Sequence, residues 1–165
     1  MSKLTIKKRH VIRRSQITRI LDRLAEEIGP SAELFRSDRI ERVETDAPVE
    51  IYLVDKKPFL IATDTWVFPT LRGLIEHPIP ERQVVVDTGA VRFIANGADA
   101  MRPGITSISP DIRAGHPVQV VEERHGKPLA VGIALLDATD MERQERGKSV
   151  RSVHNVGDDI WNLEI

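Results

Sequence analysis

The chain has 165 residues, of which 41% are hydrophobic and 30% charged, which is typical of a globular protein with one large or two small domains. The net charge of −1 excludes a strong overall attraction to nucleic acid, and the absence of cysteine excludes disulfides, thiolate zinc sites and cysteine nucleophiles. No apolar run approaches the about 20 residues that span a membrane, and the N-terminus lacks the apolar core of a secretion signal. We therefore expect a cytoplasmic protein that does not associate with membranes.

The first half of the sequence predicts a small mixed domain. Residues 3–12 alternate as in a strand, and apolar residues from Ile17 to Ile28 then follow helical spacing, with Ser15 able to cap the helix and Gly29-Pro30 ending it. Three strands are expected at 39–45, 49–54 and 58–62. After a short extended segment at 66–68, Pro69 is expected to open a second helix, which ends at His77-Pro78, and 78–82 reads as a linker.

The second half predicts mostly short strands, with turn signals at the spacing of a small barrel. A strand at 84–86 precedes a short helix, capped by Asp87 or Thr88 and stopped at Gly97. A hairpin (117–122 with 129–136), a helix (137–144) and two closing strands (150–153 and 160–163) follow the bend at Pro103-Gly104.

No catalytic constellation is visible in the sequence. It contains no G-x-S-x-G, no Walker loop and no strand-linked G-x-G-x-x-G. The histidines do not show metal-ligand spacing and are expected on turns or the surface: His10, His77, His116, His125 and His154. Asp158-Asp159 is expected to form a turn before the last strand. We therefore expect a protein that is not an enzyme and has no catalytic residues, metal site or cofactor.

One arginine and one group of basic residues are candidates for binding. Arg102 lies on a stiff bend, GADAMRPGITSI, where it either covers the core with its stem or clamps a phosphate or ribose beside a closely approaching backbone. Residues 1–24 contain eight basic residues and one acid. This segment is either a solvated face or a surface for RNA or an acidic partner, and its central residues are Lys7, Lys8, Arg9, Arg13 and Arg14.

The second half resembles a PUA domain, the RNA-binding pseudobarrel named after pseudouridine synthase and archaeosine transglycosylase. The resemblance is carried by VDTGAVRFIANGADAMRPGI, the hairpin ending LAVGIALL, and GKSVRSVHNVGDDIWNL. WVFPTLRGLIEHP and the basic N-terminus resemble the pre-PUA module of the malignant-T-cell-amplified-sequence factor and of ligatin, which have short stand-alone archaeal relatives. The implied fold is α+β, with a small N-terminal α/β pre-PUA domain (1–82) and a C-terminal PUA β-pseudobarrel (83–165).

The resemblance implies RNA binding in the groove beside the helix and the M-x-P-G-I turn. The residues carried over are Arg92, Asn96, Gly97, Ala98, Met101, Arg102, Pro103 and Gly104, with Lys148 and Arg151 nearby. It also implies a role in translation initiation or recycling, with a tRNA 3′ end or small-subunit rRNA as the RNA. The eukaryotic relatives act with a protein that carries an initiation-factor-one-like domain, so any such partner of this chain would be separate.

Two other functions are consistent with the same residues. The protein could deliver tRNA or rRNA to a separate RNA-modification enzyme, which predicts copurification with that enzyme. Alternatively it is a protein-interaction module that does not use its RNA groove, in which case removing charge at Arg102 would change nothing.

Overall fold

The computed structural model describes residues 4–165 and divides into two compact units. One unit ends at Ile79 and also includes Asn162–Ile165, and the other is Pro80–Trp161. Each unit is built around its own sheet, of five strands in the first and six in the second. The chain therefore has the expected α+β fold, with a small N-terminal module followed by a barrel-like domain.

The first unit is an antiparallel sheet in which consecutive strands pair, with the order β1-β2-β3-β4-β5. Positive φ angles at Asp55 (50°) and Lys56 (70°) allow the tight turn between the third and fourth strands. The strands are β1 (Ile6–Val11), β2 (Ile40–Thr45), β3 (Glu50–Val54), β4 (Lys57–Ala62) and β5 (Val67–Pro69). The helices are α1 (Arg14–Ile28) and α2 (Leu71–Glu76), with a 3₁₀ helix at Gly29–Phe35.

The apolar spacing predicted for the first helix is confirmed, but both predicted helix starts are wrong. The buried apolar residues of α1 are Ile17, Ile20, Leu21, Leu24 and Ile28. This helix begins at Arg14, one residue before Ser15, and its N-cap is Arg13. The Gln16 side chain stabilises this start, because its Oε1 accepts a hydrogen bond from the Arg13 N–H at 3.1 Å. Pro69 ends β5, and Thr70 caps α2 by accepting from Gly73 N at 3.2 Å while donating to the Pro58 carbonyl at 2.7 Å.

The second unit is a curled, nearly closed sheet with the order β7-β11-β10-β9-β6-β8. β6 runs parallel to β9 and antiparallel to β8. The strands are β6 (Gln83–Val86), β7 (Ala100–Met101), β8 (Ile105–Ile108), β9 (Pro117–Glu122), β10 (Pro128–Ala134) and β11 (Lys148–Asn155). The helices are α3 (Val91–Ala95) and α4 (Ala138–Arg143), with 3₁₀ turns at Thr88–Ala90 and Arg102–Gly104. The sheet surrounds an aliphatic core that includes Val84, Ile94, Val118, Met141 and Val150.

Gly132 marks a place where β10 and β11 approach too closely for a side chain. A Cβ at this position would lie 2.5 Å from Val150 Cγ1 and 2.6 Å from the Arg151 carbonyl oxygen. The register of the two strands also shifts between Val131 and Gly132. The glycine of the A-V-G-x-A segment is therefore required by sheet geometry.

The C-terminal segment of the chain differs from its prediction. Residues 160–162 form turns and residue 163 has no regular structure, where a strand was predicted. The Asp158 carboxylate accepts hydrogen bonds from the N–H groups of Asn155 (2.9 Å) and Trp161 (2.8 Å) and folds the chain back. The prediction of a turn or surface position for His154 is also wrong. His154 lies on β11 with 1% of its surface exposed, and its Nδ1 is 2.9 Å from Asp158 Oδ2.

The first stability prediction concerns Gly132. We expect Gly132→Ala to lower the free energy of unfolding by about 1–3 kcal/mol, because the added methyl group overpacks the contact between β10 and β11. Gly89→Ala is the matched control, since a Cβ there would meet only Asp87 Oδ1, at 3.5 Å. Urea denaturation of both variants measures the difference, and equal stability of the two would contradict the assignment.

The second stability prediction concerns pH. Burial opposes ionisation of Asp158, but hydrogen bonds from His154, Trp161 and Asn155 outweigh it and hold the pKa of Asp158 below its usual value. A lowered folded-state pKa stabilises the protein above the ordinary carboxyl pKa of about 3.9, and this contribution is lost as pH falls through the folded-state value. We expect Asp158→Asn to cost about 1–3 kcal/mol at pH 7 and progressively less below pH 4, measured by urea denaturation at several pH values. A pH-independent difference would contradict this account.

Candidate nucleic-acid interface

An apolar cavity of about 300 Å³ lies between α3 and the turn that follows β7. It is lined by Val86, Ala90, Phe93, Ile94, Ala98, Asp99, Met101 and Gly104. Phe93 and Met101 are large apolar side chains, yet 54% and 47% of their surfaces are exposed. Exposed apolar groups of this size beside a cavity are typical of a binding site.

The local sequence explains how the wall beside α3 forms. Asp87 Oδ1 accepts from the Ala90 N–H at 3.0 Å and starts the short helical segment. At its other end Gly97 takes a φ of 96°, which lets the Ala98 N–H return to the Phe93 carbonyl at 3.0 Å. A Cβ on Gly97 would also lie 3.3 Å from Asn155 Oδ1. This sharp reversal carries Ala98 and Asp99 back along the cavity.

Arg102 holds the opposite wall, the turn after β7, by binding backbone carbonyls. Its Nε donates to the Met141 carbonyl at 2.8 Å and its Nη1 to the Ile105 carbonyl at 3.0 Å, with a longer contact of 3.5 Å from Nη2 to Glu142. The Arg102 N–H donates to the Gly147 carbonyl at 2.8 Å. The arginine thus has a structural role that neither alternative in the sequence analysis described, and its contact with RNA stays a prediction.

Three exposed cations lie on the elements that border the cavity. Arg92 is on α3, where its guanidinium carbon is 4.8 Å from the centre of the Phe93 ring. Lys148 lies opposite Met101 in the pairing of β7 with β11, and Arg151 follows on the same strand. The predicted residues Arg92, Asn96, Gly97, Ala98, Met101, Pro103, Gly104, Lys148 and Arg151 are therefore all carried by the helix, turn and strand around one cavity.

Asp99 and Phe93 are cavity residues that sequence reasoning missed. Asp99 Oδ1 accepts from the Ser152 N–H at 2.9 Å, and Oδ2 is 3.0 Å from Lys148 Nζ. The hydrogen bond from Ser152, followed by the hydrogen bond and charge of Lys148, keeps the pKa of Asp99 below its usual value. The signal in the sequence was an acid between two alanines in a segment otherwise marked by cations, but it does not by itself place the side chain in a cavity.

Family models match two separate parts of the chain. A family model for the PUA domain matches residues 82–156, and a model for a domain of unknown function (DUF1947) matches residues 8–77. An uncharacterized protein of Methanocaldococcus jannaschii is 37% identical over 167 residues, which cover 98% of this chain and 99% of the relative. The chain belongs to the PUA-domain family.

Further relatives have names connected with translation or have known structures. Translation machinery-associated protein 20 of Saccharomyces cerevisiae is 26% identical, covering 79% of this chain and 75% of the relative. Malignant T-cell-amplified sequence 1-B of Xenopus laevis is 29% identical, covering 78% and 74%. The crystal structure of a hypothetical protein from Pyrococcus horikoshii OT3 matches with a TM-score of 0.86 and 35% identity, covering 94% of this chain and 98% of that one. The resemblance inferred from the sequence is confirmed.

The N-terminal domain of this PUA-domain protein carries the second predicted cationic group. Lys7, Lys8 and Arg9 are exposed on β1, an edge strand, and Arg13 and Arg14 are exposed where α1 begins. Arg9 already forms an ion pair within the domain, because its Nε lies 3.0 Å from Glu41 Oε1. The hydrogen bond from Arg9, more than that from Arg39, keeps the pKa of the buried Glu41 below its usual value.

Within residues 4–165 there is no group of three or more His, Asp or Glu side chains arranged to hold a metal ion. No helix in the same range is long and apolar enough to cross a bilayer.

A third prediction follows from the carbonyl contacts of Arg102. We expect Arg102→Lys to lower the free energy of unfolding by about 1–3 kcal/mol, because an ammonium group cannot reach the Met141 and Ile105 carbonyls with the same fork of donors. Arg146→Lys, an exposed position after α4, is the control and should change stability by less than about 0.5 kcal/mol. If the two variants unfold at the same urea concentration, the carbonyl contacts do not stabilise the turn.

Proposed function

We propose that this PUA-domain protein binds RNA and positions it during translation without catalysing a reaction. The observation that carries the proposal is the cavity between α3 and the turn after β7, where exposed Phe93 and Met101 are bordered by Arg92, Lys148 and Arg151. Aromatic side chains stack on unpaired bases, and cations beside them neutralise phosphates. The relatives named for the translation machinery support translation as the setting.

The RNA that fits this surface best is single-stranded. An apolar cavity can receive a base only if that base is unstacked, and RNA ends and loops supply such bases whereas regular helices do not. A tRNA 3′ end and an unpaired segment of small-subunit rRNA both meet this condition. We propose one of these two as the RNA, and initiation or recycling as the step.

The N-terminal basic face, defined as Lys7, Lys8, Arg9, Arg13 and Arg14, would contribute a second contact with rRNA or an acidic protein. Lys7, Lys8, Arg13 and Arg14 are exposed, so their charges are available to phosphate or carboxylate groups. This contact would add affinity without sequence selectivity, as phosphate contacts generally do.

A binding experiment with matched variants tests the proposal. Fluorescence anisotropy is measured with tRNA, with tRNA lacking its 3′ CCA and with small ribosomal subunits, each at several salt concentrations. The first variant combines Arg92→Gln, Lys148→Gln and Arg151→Gln. Its control combines Arg113→Gln, Arg124→Gln and Lys127→Gln, which neutralise three exposed cations of the same domain in the loop before β9 and in the turn between β9 and β10. Each lost phosphate contact should reduce the steepness of log K against log salt by about 0.7.

We expect the cavity variant to bind more weakly and with a shallower salt dependence than the control. Dependence on CCA would identify the tRNA end as the RNA, whereas binding only to ribosomal subunits would exclude it. A third variant, with Lys7, Lys8, Arg13 and Arg14 replaced by Gln, should weaken binding to subunits and leave binding to tRNA unchanged. Equal binding by the cavity variant and its control would contradict the proposed site, and no binding to any RNA would contradict the function.

A further inference from the structure

Asp99 is the only ionisable side chain among the described residues that line the cavity. Its side chain is 25% exposed, so it remains accessible to a ligand. The hydrogen bonds from Ser152 and Lys148 favour the ionised form, so at neutral pH the cavity presents a carboxylate. An ionised carboxylate only accepts hydrogen bonds, so it favours a ligand group that donates them.

The known contacts of Asp99 leave acceptor capacity for a ligand. Oδ1 accepts from the Ser152 N–H and Oδ2 from Lys148 Nζ, one contact on each oxygen. A carboxylate offers about four lone-pair positions, so about two remain beyond these contacts. Both contacts come from β11, and the one from the Ser152 backbone orients the carboxylate because a backbone N–H in a strand is fixed in place.

The size and polarity of the cavity favour a base over a phosphate. Its volume of about 300 Å³ is at the lower end of the range for small-molecule pockets, about 300–1,000 Å³, and suits one planar group. Apart from Asp99 its lining side chains are apolar, and the negative charge of Asp99 repels a phosphate that approaches it. The cations Arg92 and Arg151 lie outside the lining, where a phosphate could meet them.

We propose that the cavity receives one unstacked nucleobase and that Asp99 selects a base with an exocyclic amino group over uracil. Cytosine, adenine and guanine each carry an amino group that can donate to the carboxylate. Uracil has no amino group, and the two carbonyl oxygens on either side of its N3–H are repelled by a carboxylate. This inference rests on the proposed RNA binding and adds a specificity-determining residue to it.

Cytosine and uracil provide the sharpest comparison, because the two rings have nearly the same size and differ at the group that faces Asp99. Anisotropy is measured with short oligo(C) and oligo(U) of equal length, together with tRNA and small ribosomal subunits. We expect oligo(C) to bind about fivefold or more tightly than oligo(U), as for one favourable contact with a base edge. Oligo(C) carrying N4,N4-dimethylcytidine, which has lost both amino hydrogens, should bind as weakly as oligo(U) to the unmodified protein.

Two variants assign the selectivity to the carboxylate. Asp99→Asn keeps an acceptor for Ser152 but adds an amide donor that can meet the uracil oxygen, so the ratio of the two affinities should fall to about one. Arg151→Gln removes an exposed cation and keeps both hydrogen bonds of the carboxylate, so both oligonucleotides should bind more weakly with their ratio preserved. The dimethylcytidine measurement needs no protein variant and stands even if Asp99→Asn fails to fold.

The outcomes separate this inference from the proposed function. Equal binding of oligo(C) and oligo(U), or selectivity that persists in folded Asp99→Asn, would overturn the role of Asp99 while leaving RNA binding intact. Binding of tRNA or ribosomal subunits without either oligonucleotide would overturn the nucleobase cavity. Absence of binding to every RNA would overturn the proposed function, and the inference with it.

Discussion

The hydrogen bonds of Arg102 to backbone carbonyls are the constraint on which the candidate site depends. The turn after β7 consists of Arg102, Pro103 and Gly104 and has few side chains of its own to pack, so it cannot hold one conformation by burial alone. One guanidinium group connects it to the Met141 carbonyl in α4 and the Ile105 carbonyl at the start of β8. Met101 and Gly104, which flank Arg102 and line the cavity, take their positions from this connection.

The charges around the cavity are separated by sign although the whole chain is almost neutral. An apolar space contains one carboxylate, while cations lie on the helix and strand around it. Local separation of this kind creates a binding surface without the large net charge that would attract nucleic acid indiscriminately. In the proposed RNA complex, the cations would give affinity through phosphate contacts and the carboxylate would give selectivity through contact with a base edge.

Several charged groups that look like candidates for binding instead stabilise the fold. Arg9 pairs with the buried carboxylate of Glu41, and Asp158 organises the C-terminal turns together with His154. A buried carboxylate without such partners would be costly, which explains why charged residues lie at these positions. Lys7, Lys8, Arg13 and Arg14 are exposed, and they are better candidates for partner binding than Arg9.

The sequence by itself determined the α+β class, the PUA resemblance and the elements whose signals are local. The apolar spacing of α1 and the turns between β2, β3 and β4 depend on neighbouring residues, so they can be read along the chain. Of the residues expected around the RNA groove, Ala98, Met101 and Gly104 line the cavity, and their contact with RNA stays a prediction. The PUA motifs located them, because the helix and the M-x-P-G turn are contiguous in sequence.

Only the tertiary structure decided what the distant partners of individual side chains are. The carbonyls that bind Arg102 come from Ile105 and from Met141, 39 residues further along, and no local pattern indicates that pairing. Asp99 enters the cavity through contacts with Lys148 and Ser152, and His154 is buried because Asp158 folds back onto it. The segment at 160–163 has the composition of a strand but does not form one, since hydrogen bonds to the Asp158 carboxylate outweigh its local preference for extended structure. Composition and spacing describe what each residue favours, whereas the partners that satisfy a charge or a hydrogen bond are brought together only by the fold.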